Sequence, residues 1–161
     1  MRIITYTTRI DTENRNILVK ENAVNYTACQ YLDSPEKVAK MMADVFLIHL
    51  AAEEYVYLIC LNNKCKPIGI FEVGHGTVNS CLLHVREIMI RNVLCGAVGF
   101  IVIHNHPSGC TSLSEQDKEI TKRLYDAGEL IGIHLHDHIV IGRGDDGSYE
   151  YYSMKENGII P

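Results

Sequence analysis

Residues 98–142 read VGFIVIHNHPSGCTSLSEQDKEITKRLYDAGELIGIHLHDHIVIG. VGFIVI, residues 98–103, is a continuous apolar run, the pattern of a strand buried on both faces. It stops at His104-Asn105-His106-Pro107-Ser108-Gly109, where Pro and Gly force a loop. Ser114 suits a helix N-cap, and SEQDKEITKRLYDA continues from it. Gly128 is expected to close that helix. ELIGIHLHDHIVIG, residues 129–142, then reads as the next strand region. Strand, helix and strand in this order predict an α/β domain with a mixed sheet flanked by helices.

The same alternation extends in both directions. Ser34 caps and Pro35 opens a helix whose Val38, Met41, Met42, Val45 and Phe46 form one apolar stripe. YVYLICL, residues 55–61, is aromatic and β-branched, so it reads as a buried strand. Asn62-Asn63-Lys64 turns the chain, and KPIGIFEV returns as a hairpin partner that Gly74-His75-Gly76 is expected to break. A second helix is expected over about 86–96. Downstream, GDDGSYEYYSM reads as a turn into an edge strand. Residues 1–33 are polar and mixed and predict an N-terminal extension of short strands. The main domain is expected over 34–155, with a tail at 156–161.

The chain has 161 residues, a size expected of one domain, and 47% apolar residues, enough for a sizeable core. A net charge of -5 argues against general phosphate binding, which draws on excess Lys and Arg. No apolar run reaches the ~18 residues of a membrane span. MRIITYTTRIDTENR lacks the apolar core of a signal peptide. The six Cys show no C-x-x-C spacing. They read as reduced thiols of a cytoplasmic protein.

The chemistry concentrates in H-x-H-P-x6-S-x-x-D. His104 and His106 stand at i and i+2 at a strand end, so their imidazoles project to the same side. Ser114-x-x-Asp117 places Asp117 in the first turn of the following helix. By itself that spacing is also a capping box, and the two roles do not exclude each other. Two His and one carboxylate leave a fourth tetrahedral position for water, the makeup of a catalytic rather than a structural zinc site. A second cluster, His134, His136 and His138, alternates along the next strand, with Ile133, Leu135, Asp137 and Ile139 expected on the other face. Ligands spaced about 7 Å apart on one straight strand make a poor metal site. Gly74-x-Gly76-Thr77 lacks the Lys-Ser/Thr of a phosphate loop and reads as a turn.

The motif resembles the JAMM (MPN-plus) metalloprotease domain. VIHNHPSG with SLSEQDKEITKRLYDAGELIGIHLHDHIVIG, preceded by VREIMIRNVLCGAVGF and GHGTVNS, resembles the RadC-like branch of that superfamily over roughly 34–155. The resemblance implies a JAMM/MPN-like, cytidine-deaminase-like architecture. It implies one Zn2+ held by His104, His106 and Asp117, with a water as fourth ligand and Ser114 on the oxyanion side. It also implies a general-base Glu just before the first core strand. Glu54 matches through the run EYVYLICL, Glu53 is its immediate rival, and Glu72 and Glu87 are weaker ones. Zinc would lower the pKa of its water to about 7, and a carboxylate would accept the proton. The implied reaction is hydrolysis of a peptide or isopeptide bond, with a peptide or protein substrate, no membrane partner and an open oligomeric state.

The chain also departs from the family. The helix-hairpin-helix, DNA-binding type region of full-length RadC proteins is not expected in the 33 residues before the domain. His84-Val85 stands where Pro is common, and Cys110 where an acidic residue is common. Asp137-His138 matches the family and is a candidate second layer around the metal or a wall of the substrate site. Competing readings are a RadC-type DNA-repair protein or nuclease using the same zinc, and a zinc scaffold without catalysis. The charge and the expected lack of a DNA-binding region weigh against the first, and the complete residue set weighs against the second. A zinc deaminase would need H-x-E with P-C-x-x-C, and neither is present.

Overall fold

The computed structural model describes residues 1–76 and 83–161. Among the described residues seven strands form one sheet in the order β2-β1-β4-β3-β5-β6-β7. In chain order they are β1 (Arg2–Ile10), β2 (Asn16–Asn25), β3 (Glu54–Leu61), β4 (Pro67–Gly76), β5 (Gly99–Asn105), β6 (His134–Arg143) and β7 (Tyr149–Ser153). The helices are α1 (Pro35–Phe46), α2 (Val85–Cys95) and α3 (Glu115–Ile131). β5 and β6 pair in parallel, joined through α3, and β1 pairs in parallel with β4. The remaining neighbours are antiparallel, so the α/β mixed-sheet expectation holds.

Strand alternation divides the core between two faces. Ile59, Leu61, Ile101, Ile103, Ile139 and Ile141 pack against Val38, Met41 and Met42 of α1. Leu58, Cys60, Phe100, Val102 and Val140 pack against Ile88 of α2 and Leu124 of α3. β5 is buried along its whole length, as its apolar run requires. Each fully buried large side chain there contributes about 1.5–3 kcal/mol relative to exposure. Even-numbered β5 residues face α2 and α3, and His104 inherits that direction.

Four local expectations change. The N-terminal strands are not short: β1 and β2 have 9 and 10 residues and extend the main sheet. β4 runs through Gly74-His75-Gly76, because His75 pairs with Tyr55 and their rings stack at 4.3 Å. Thr77 of that motif lies outside the described residues. α3 passes Gly128 and closes at Gly132, whose φ is +72°. Gly128 serves packing instead: a Cβ there would lie 2.5 Å from the Ile133 carbonyl and 3.3 Å from the Phe100 ring. Finally, the β5–β6 register slips so that Phe100 pairs with Leu135 but Ile101 pairs with Asp137. The extra residue, His136, is a bulge that reverses the expected alternation.

Among the described residues no helix is long and apolar enough to cross a membrane. The five described cysteines are free, and Cys81 lies outside the described residues.

Candidate metal centre

β5 delivers His104, the loop after it delivers His106, and the first turn of α3 delivers Asp117. Their ligand atoms lie within 4.8 Å of one another. His104 Nε2 stands 3.1 Å from His106 Nε2 and 3.4 Å from Asp117 Oδ1. His106 Nε2 stands 3.9 Å from Asp117 Oδ2. A tetrahedral ion with donors at 2.0–2.1 Å has edges of about 3.3–3.4 Å. The two His104 separations are close to that edge, and the His106–Asp117 separation is about half an ångström longer, so the three side chains can close on one small divalent ion with a small inward shift of Asp117. His104 is buried, whereas His106 and Asp117 are partly exposed, so the group opens on one side.

Each ligand is held by a second contact. The Ser114 backbone N–H and hydroxyl donate to Asp117 Oδ2 at 2.8 and 2.7 Å. The Asp117 N–H donates to Ser114 Oγ at 3.1 Å, completing a capping box. These bonds leave Oδ1 directed at His104. Burial alone would raise the Asp117 carboxyl, but the imidazole of His104 and the Ser114 bonds outweigh it and hold it below its usual value. His106 Nδ1 donates to the Cys110 carbonyl at 2.8 Å, which leaves Nε2 as the lone pair. Cys110 thus meets the site through its carbonyl. Its thiol contacts Ser112 Oγ at 2.9 Å. The loop is pressed onto β6: a Cβ at Gly142 would lie 2.1 Å from the Gly109 carbonyl.

The bulge at His136 turns His138 into this centre. His104 Nδ1 lies 2.9 Å from His138 Nε2, and His138 Nδ1 lies 2.5 Å from Thr121 Oγ1. Thr121 Oγ1 also contacts the Asp117 carbonyl at 2.5 Å and Met154 Sδ at 3.2 Å. Neither of those acceptors carries a hydrogen, so the single hydroxyl hydrogen goes to one of them and Thr121 accepts from His138 Nδ1–H. Neutral His138 then accepts from His104 Nδ1–H at Nε2, and His104 Nε2 is left free for an ion. Burial pushes both His104 and His138 well below the usual imidazole range, which keeps the chain neutral. The sequence singled out His138 but not Thr121, whose signal is only its position one helical turn after Asp117.

Glu54 opens β3. Val56 pairs with His104 and packs on the α2–α3 face, so the two-residue alternation sends Glu54 to the same face. Glu54 is half-buried, and burial raises its carboxyl, with the nearby charges of His106 and Asp117 acting in opposite directions. It is not one of the three converging ligands. Two of the rival acids are engaged elsewhere. Glu53 pairs with His75, and Glu87 pairs with Arg86 and Arg91. Glu72 lies exposed on β4 opposite Tyr57. His134 pairs with Glu129 at 2.6 Å. His136 lies over Gly99, where a Cβ would come within 2.2 Å of its Nε2. A cavity of about 250 Å³ beside Pro35, His136 and Asp137 lies on the α1 face of the sheet, away from the ligands.

A family model described as the RadC-like JAB domain matches residues 32–159. A UPF0758 protein of Clostridium acetobutylicum is 39% identical over 129 residues, covering 80% of this chain and 53% of the relative. A UPF0758 protein of Thermotoga maritima is 37% identical over 127 residues, covering 79% and 54%. One of Clostridioides difficile is 44% identical over 108 residues, covering 67% and 44%. The chain spans about half the length of the curated relatives it matches. With residues 32–159 matched, a range that includes His104, His106 and Asp117, the chain belongs to the RadC-like JAB domain family.

Proposed function

We propose that this chain is a zinc-dependent hydrolase of the JAMM type, acting on a peptide or isopeptide bond. The observation that carries the reading is the convergence of His104 Nε2, His106 Nε2 and the Asp117 carboxylate within 4.8 Å of one another, with one side open. When bound there, zinc supplies Lewis acidity and a water acidified to a pKa of about 7. Glu54 takes the water's proton at its carboxylate and returns it to the leaving nitrogen. Burial suits it to both directions, because a raised carboxyl holds a proton more readily near neutral pH.

Ser114 first holds Asp117 Oδ2. Acting as an oxyanion donor requires its O–H to leave that carboxylate for the substrate oxygen, with the backbone N–H of Ser114 keeping Asp117 in place. A net charge of -5 favours a peptide over a nucleic-acid substrate.

The test is metal analysis with cleavage of a peptide library, an isopeptide-linked pair and a DNA duplex, each with zinc, with chelator and with Glu54→Gln. One zinc per chain and chelator-sensitive amide cleavage lost in Glu54→Gln support the proposal. DNA cleavage without amide cleavage replaces it with a nuclease. Zinc binding with no cleavage at all leaves a scaffold.

A further inference from the structure

The two ligating histidines are separated by Asn105, which is 1% exposed. Its side chain points at β3. Asn105 Oδ1 accepts from the Tyr55 N–H at 2.8 Å, and Asn105 Nδ2 donates to the Glu53 carbonyl at 3.0 Å. Those two backbone groups flank Glu54 on either side. The β3–β5 ladder ends at Val56 opposite His104, so the amide supplies the pairing that the next step of the ladder would have given. On its other side the Asn105 backbone pairs with Ile141 of β6.

Among the described β5 side chains, Asn105 alone hydrogen-bonds the peptide groups beside Glu54. We propose that Asn105 is a positioning residue. It fixes Glu54 relative to the metal by clamping the backbone on both sides of it, from the strand that carries the ligands.

The chemistry of the residue is specific. A primary amide offers one acceptor and one donor in the same plane, matching one N–H and one C=O. A carboxylate offers acceptors only, so Asn105→Asp confronts the Glu53 carbonyl with a second oxygen. An apolar residue would strand both backbone groups. Because the ligands and the clamp share one three-residue segment, any drift of Glu54 is measured against His104 and His106 directly. A displacement of about 1 Å of such a group can cost on the order of 10²-fold in rate.

The inference rests on the hydrolase reading, and its test separates the two. Wild type, Asn105→Asp, Asn105→Ala, Glu54→Gln and the Asn105→Asp/Glu54→Gln double variant are loaded with Co2+. The pH midpoint of the visible spectrum then reports the acidity of the bound water, with no substrate present. Glu54→Gln is expected to move this midpoint, and Asn105→Asp to move it in the same direction. The double variant should match Glu54→Gln within about 0.3 pH unit, because a residue that acts through Glu54 has nothing left to act on. In parallel, kcat for any peptide the wild type cleaves should fall about 10²-fold in Asn105→Asp with KM little changed.

The proposal is overturned by a wild-type midpoint in both Asn105 variants or by additive shifts in the double variant. Loss of cobalt from both Asn105 variants, or failure of both to fold, assigns the residue to the ligands or to the fold and equally overturns it. If the wild type cleaves nothing, the hydrolase reading falls while the cobalt titration still decides the positioning.

Discussion

Thr121→Val tests the buried chain that runs from His104 to the first turn of α3. Valine keeps the volume and branching of threonine, so the substitution removes a hydroxyl and little else. His138 Nδ1–H then loses the acceptor it has at 2.5 Å, in a side chain that is 1% exposed. A buried donor left without a partner costs about 1–3 kcal/mol. The Asp117 carbonyl loses only an extra bond, since it lies within a helix. Taking about 2 kcal/mol, and ~2–4 °C per kcal/mol for a chain of this size, the melting temperature of the metal-free protein should fall by about 4–8 °C. The ring of His138 also loses its anchor, and with it the orientation and tautomer of His104. Zinc affinity should fall about 10–100-fold. Thermal unfolding in chelator gives the first quantity, and competition with a chromogenic chelator gives the second. A melting temperature within about 1 °C of wild type and unchanged zinc affinity would refute the assigned directions of the chain. Lost stability with unchanged affinity would confine Thr121 to the fold.

Three further outcomes follow from the same geometry. Glu54→Gln should retain one zinc per chain while hydrolysis drops about 10²–10⁴-fold, checked by metal analysis and initial rates. Gly142→Ala places a Cβ against the Gly109 carbonyl, so the loop holding His106 through Cys110 must move. A stability loss of about 1–3 kcal/mol in urea and weaker zinc binding are expected. The metal-free protein should lose stability as pH falls below about 6.5, because His104 and His138 stay neutral when folded but protonate when unfolded. Their folded values are lowered, so stability is full above the unfolded value and declines by up to about 1.4 kcal/mol per pH unit for each histidine. His138→Gln should flatten that slope in urea titrations at pH 5 to 7, and an unchanged slope would remove His138 from the account.

The legible part of this protein is the part encoded by near neighbours. VGFIVI reads as a central strand because it is short, β-branched and aromatic, and bounded by a Pro-Gly loop. His104 and His106 are expected on one side from strand alternation, and they do converge, although β5 ends at Asn105 and the loop carries His106. Ser114 and Asp117 had to meet because they lie one helical turn apart, and they do so in a capping box. The family pattern follows from the same local spacings.

What stayed open in the sequence depends on register and on close approach. One bulged residue, His136, reverses the alternation of β6 and brings His138 to His104 across the β5–β6 pair. No periodicity announces such a slip, because it is fixed by how two strands separated by the whole of α3 align. Gly128 and Gly132 look alike in the chain. Only the sheet beneath α3 decides that the first permits packing and the second ends the helix. Asn105 likewise reads as a loop residue until β3 is laid beside it and the backbone around Glu54 finds its donor and acceptor. The strand–helix order and the His-His-Asp set were written in the chain, because short-range geometry dictates both. What orients that set was settled by the folded sheet, because hydrogen bonds between distant segments exist only once the strands have closed around them.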